Sequence, residues 1–137
     1  MREIKFRGYA KQKMVNSQWL EGFGIYELEY AEHYAKEIGR SSDWYLFTEG
    51  GNYCVYPESI GQYTGLKDKN GKEIYEGDLL KAVAYAINQE VTGVVNYNSE
   101  LAHYCLDTDN NKRIVFLGLI NTEVIGNIYE NPELLEG

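Results

Sequence analysis

Between residues 78 and 128 one pattern recurs five times: a short run rich in valine, isoleucine, leucine and tyrosine, closed off by a short polar turn. The runs cover residues 78–85, 91–97, 101–106, 113–117 and 123–128. So small a sheet must protect its edge strands, and closure is the simplest way. The expected architecture is therefore a small five-stranded antiparallel barrel of the SH3-like kind. Composition points the same way, with 13 tyrosines against 4 phenylalanines and 14 glycines against 2 prolines, a balance suited to twisted sheets and turns. The tail, residues 129–135, reads as a turn followed by at most one helical turn.

The first half is more mixed. Residues 4–10 alternate, with Ile4, Phe6 and Ala10 on one face and Lys5 and Arg7 on the other, the mark of a half-buried strand. A second apolar run over residues 14–20 ends at Gly22 and Gly24, which suggests a hairpin. Over residues 27–38 the period changes: Leu28, Ala31, Ala35 and Ile38 recur at three and four, and Gly39 stands at the C-cap position, so a helix is expected there. Residues 43–48 and 53–56 read as two strands around a turn at 49–52, stopped by Pro57. The chain is thus expected to be mainly β (α+β). Residues 1–62 form an N-terminal lobe with a hairpin and one helix, residues 63–137 form the barrel lobe, and the two pack as one compact unit.

Residues 62–80, QYTGLKDKNGKEIYEGDLL, join the two halves. Asn70-Gly71 is the favoured pair for a tight turn with positive φ, residues 72–75 return as a short strand, and Glu76-Gly77-Asp78 turns the chain again. A calcium loop with Gly71 at its sixth position would need ligands at Leu66 and Gly77, which cannot coordinate. The block is architecture. Together with MREIKFRGY at the start and EVIGNIYENPELL at the end, it resembles the YopX family of phage and prophage proteins. The resemblance implies a β-rich, two-part fold and brings no catalytic, cofactor-binding or metal-binding residues with it. Residues 20–56 carry no signature of that family.

Other constellations have bland explanations. Asp107, Asp109 and Asn111 imitate the opening of an EF-hand, but Lys112 and Gly118 occupy the positions that need glycine and glutamate, so a turn rich in Asx residues is expected. His103 and Cys105 share a strand face, and His33 and Cys54 are the remaining zinc-ligand candidates of that kind, without ligand spacing to join them. Both cysteines are read as reduced and packed, with a disulfide the lesser alternative. Gly22-Phe23-Gly24 opens like a dinucleotide fingerprint, but Glu27 stands where the third glycine belongs. No P-loop or G-x-S-x-G motif is present.

The net charge of −8 argues against a non-specific grip on nucleic acid. Charge is uneven, however: residues 1–13 carry five basic side chains against Glu3, while residues 63–137 carry 12 acids against 6 bases. Arg2, Lys5 and Arg7 on the first strand, with Trp19 and Trp44 as aromatic anchors, are the candidate interface residues. No apolar run is long enough to span a membrane and the N-terminus is charged, so a cytoplasmic protein without cofactor or metal is expected. Two function classes stand open. One is a non-enzymatic phage accessory protein that forms homo-oligomers and binds a host or phage protein. The other is nucleic-acid related, either through weak binding by the basic N-terminal strand or as an acidic mimic that blocks a host enzyme.

Overall fold

The computed structural model describes residues 3–109 and 112–135. Among the described residues the protein is mainly β, with one short helix and three antiparallel sheets. Two compact units divide the chain, Glu3–Gln62 and the residues from Tyr63 onward. Among the described residues, no helix is long and apolar enough to cross a membrane.

In the first unit, β1 (Phe6–Tyr9) and β2 (Trp19–Gly22) form the N-terminal hairpin, with Tyr9 opposite Trp19 and Arg7 opposite Glu21. The meander β3 (Gly24–Glu29), β4 (Ser42–Thr48) and β5 (Gly51–Val55) makes a second sheet. The two are stitched by main-chain bonds: Lys11 N–H donates to the Cys54 carbonyl at 3.0 Å and Tyr56 N–H to the Tyr9 carbonyl at 3.0 Å. Ala10, Leu46 and Val55 are buried beneath this seam.

The helix is shorter than its period suggests. α1 spans Glu32–Ile38 and buries no residue, whereas Glu27, Leu28 and Glu29 belong to β3, facing Trp44, Asp43 and Ser42 of β4. Six consecutive strand pairs supply main-chain partners that a helix without a buried stripe cannot outweigh. Gly39 does end it in the left-handed region, at φ 81°, with its N–H on the Ala35 carbonyl.

In the second unit β6 (Gly61–Lys67), which begins in the first, pairs with β7 (Glu73–Tyr75). Then follow β8 (Asp78–Ala84), β9 (Gln89–Asn98), β10 (His103–Thr108), β11 (Arg113–Val115) and β12 (Leu119–Asn127), in the spatial order β11-β10-β9-β8-β12. Ile74, Leu80, Ala82, Val95, Leu106 and Leu119 form the core.

The five antiparallel strands are present, but the expected SH3-like barrel is not closed. A 3-10 turn at Phe116–Gly118 leads from the three-residue β11 into β12, which pairs with β8 and is bulged twice on the way. The polar partners a closing strand would supply come instead from the turn after β6: Lys69 N–H donates to the Thr122 carbonyl at 2.9 Å, and Val124 N–H donates to Asp68 Oδ2 at 2.9 Å. An edge satisfied in this way has no need of closure.

Gly93 in β9 marks a tight approach, since a Cβ there would lie 2.4 Å from the Asp107 carbonyl oxygen on the neighbouring strand. Gly93→Ala is expected to lower stability by about 1–3 kcal/mol, and Ala102→Gly, which relieves a non-glycine φ of 56°, to raise it by up to about 1 kcal/mol. Urea unfolding of the two variants checks both signs.

Candidate functional site

The register of β1 on β2 brings three of the candidate interface residues together. Lys5 is neutralised by Glu3 at 3.3 Å and Glu21 at 3.8 Å, and the Arg7 guanidinium lies 4.7 Å from the Trp19 ring centre. Trp19 in turn meets the edge of Tyr9, with ring centres 5.4 Å apart. Trp44 lies on β4, between Glu27 and Val55. Arg2 lies outside the described residues.

Beside this cluster opens a groove of ≈ 590 Å³ in the first unit. Among the described residues, Ile4, Leu20 and Phe23 line it with apolar surface, and Glu3, Glu21 and Glu49 line it with carboxylates, against the ammonium of Lys5. Ile4 and Phe23 are each 61% exposed. The corner that shapes the groove needs a glycine: a Cβ on Gly22 would lie 2.1 Å from the Phe47 carbonyl oxygen, and that approach lets the same oxygen accept the Phe23 N–H at 2.9 Å. Phe23 then stacks on Phe47, Phe47 on Tyr26, and Tyr26 on Tyr45, with centres 6.3, 4.9 and 5.3 Å apart. Sequence reasoning missed this surface, because Phe23 between two glycines carries only a turn signal.

Asp43 is a strongly held charge of the first unit. It is buried and accepts hydrogen bonds from Tyr30 Oη at 2.5 Å, Arg40 Nε at 2.8 Å and Arg40 Nη2 at 2.9 Å, with Lys11 Nζ at 3.5 Å. The bonds from Arg40 and Tyr30, against the penalty of burial, hold its carboxyl far below the ordinary range, and the same contact pushes the Tyr30 phenol up to about 12. This cluster ties α1 and its flanks to β4.

Three carboxylates of the second unit are bound by the chain itself. Burial raises the Asp68 carboxyl, but the N–H groups of Val124, Lys72 and Asn70, each at 2.9 Å, outweigh it and leave the group below its usual value. Asp78 accepts the Tyr75 N–H at 2.8 Å. Asp107 is bound by Arg113 Nε at 2.7 Å and Asn96 Nδ2 at 2.6 Å. The Asx-rich turn closes through Thr108, whose N–H and hydroxyl donate to the Lys112 carbonyl at 2.8 and 3.0 Å, while Asn110 and Asn111 lie outside the described residues.

Of the four zinc-ligand candidates, Cys105 is buried with its thiol on the Asn96 carbonyl, and His103 faces the Tyr104 carbonyl. Cys54 sits in β5 and His33 on α1. Burial pushes both thiols up, which disfavours the thiolate that a nucleophile or metal ligand needs. Among the described residues no group of three or more His, Cys, Asp or Glu could hold a metal.

Because the folded Asp43 carboxyl titrates below its unfolded value of about 3.9, its stabilisation is complete above that pH and disappears as pH falls through the folded value. Asp43→Asn should cost about 2 kcal/mol at neutral pH and flatten the acid limb of a plot of urea midpoint against pH. Asp68→Ala, which leaves three main-chain donors without their acceptor, should cost roughly 2–3 kcal/mol by the same measurement.

Comparison with known proteins adds the lineage. The crystal structure of protein EF1440 from Enterococcus faecalis is similar at 25% identity, covering 98% of this chain and 99% of that one, with a TM-score of 0.47. No curated protein matches. The family model described as YopX protein matches residues 5–136, in agreement with the resemblance of the three sequence blocks and running also through residues 20–56, where the sequence carries no recognised signature. Over nearly its whole length, then, this chain belongs to the YopX family.

Proposed function

We propose that the protein is a non-enzymatic, self-associating protein-binding module of a phage or prophage. The observation that carries this reading is the groove of the first unit, where exposed Ile4 and Phe23 lie beside carboxylates on a sheet stiffened by stacked rings. Apolar and aromatic side chains ringed by charge are the composition of a protein interface centre and its rim. The carboxylates of Asp43, Asp68 and Asp107 accept hydrogen bonds from internal donors and so serve the scaffold.

The nucleic-acid reading rests on the basic first strand, and two of its cations are engaged within the unit, Lys5 by glutamates and Arg7 by an indole face. That leaves less charge to neutralise phosphates. The expected outcome is a molar mass that rises with concentration in light scattering, together with no salt-sensitive binding of single- or double-stranded oligonucleotides at low ionic strength. A constant monomer mass with tight, salt-sensitive oligonucleotide binding would reverse the order of the two readings.

A further inference from the structure

The loop between β1 and β2 is built to hold an apolar side chain in water. The Gln18 amide organises it: Nε2 donates to the Ala10 carbonyl at 3.1 Å and to the Gln12 carbonyl at 3.0 Å, while Oε1 accepts the Met14 N–H at 2.7 Å. The Gln18 carbonyl also accepts the Ala10 N–H at 2.8 Å, closing the base of the loop. At its outer part Val15 is 97% exposed and Lys13 is exposed beside it. Preorganising a loop removes the entropy cost of ordering it on contact, and that gain is realised only when something covers Val15.

The groove has the complementary character. It offers the apolar surface of Ile4, Leu20 and Phe23 to a small branched side chain and, among the described residues, three carboxylates against one ammonium to a lysine. Met14 belongs to the loop and also lines the groove, so knob and groove abut in the same unit. When two complementary features are neighbours on one surface, a two-fold axis between two copies lets each knob enter the other's groove, and the contact closes as a dimer.

We infer that the occupant of the groove is a second copy of this chain, whose Val15 packs on Phe23 and Ile4 while its Lys13 meets the carboxylates of Glu49 and Glu21. The inference rests on the self-association proposed above and assigns its contact surface. A contact made by one loop tip in one groove, repeated once by the two-fold axis, belongs to the weak class of interfaces, so the dimer forms and dissociates with concentration.

The test is sedimentation equilibrium of the full chain over a wide concentration range, for wild type and for Lys13→Glu, Val15→Asp and Glu49→Lys. All three positions are exposed, and circular dichroism verifies that each variant keeps the wild-type fold. Each substitution should weaken association at least about tenfold. An equimolar mixture of Lys13→Glu and Glu49→Lys should regain it, because in the mixed dimer both knob-and-groove contacts are again opposite in charge. Wild-type dimerisation that survives all three substitutions unchanged would overturn the assigned surface and leave self-association standing. A wild-type monomer at every concentration would overturn self-association itself. Weakened single variants whose mixture fails to regain association would overturn the pairing of Lys13 with Glu49.

Discussion

In the second unit the Asp68 carboxylate joins the turn after β6 to β12. Asp68 receives the N–H groups of Asn70 and Lys72 from its own turn and that of Val124 from β12. Two local bonds form the Asn-Gly turn and the third locks it against the outer edge of a strand 56 residues away. The turn therefore does what a barrel-closing strand would do, and the five-stranded sheet remains open with its β12 edge protected. An ionised acceptor makes such bonds stronger than neutral ones, which suits a junction that must hold without a continuous ladder.

The first unit meets the same requirement with different means. Its two sheets are joined by main-chain bonds on either side of Ala10 and, at the other corner, by the Phe47 carbonyl that accepts the Phe23 N–H. That corner exists because Gly22 has no side chain to keep the carbonyl away. Its consequence reaches function: turning the chain sharply at Gly22 leaves Phe23 half-supported on Phe47 and half in water, at the mouth of the groove. Asp43 anchors the far side, where α1 contributes no buried residue of its own.

The alternating strands after residue 77 were legible because each run is short, apolar and bounded by turn residues, and Asn70-Gly71 announced its turn through the backbone it requires. Openness of the sheet was not legible, since it follows from a bond between Asp68 and Val124 that no local pattern encodes. The stretch 27–38 misled because glutamates and a leucine at helical spacing also satisfy a strand when β4 lies alongside. On the first strand, alternation suggests a solvated face for Lys5 and Arg7, but both are part-buried, engaged by Glu21 and Trp19 through the register of β1 on β2, while Ile4 is the exposed side chain. The groove was invisible for a related reason: Phe23 and Glu49 come from separate elements and acquire meaning only when side by side.

From its residues alone this chain declared its family, its β-rich class and the architectural use of its central block, because turn chemistry and strand alternation are properties of consecutive residues. Tertiary structure decided that the sheet stays open, that the basic strand is partly neutralised and that a groove opens beside the loop carrying Val15. Those outcomes depend on which distant donors and acceptors meet, and the free energy of such a meeting is set by geometry that sequence spacing does not contain.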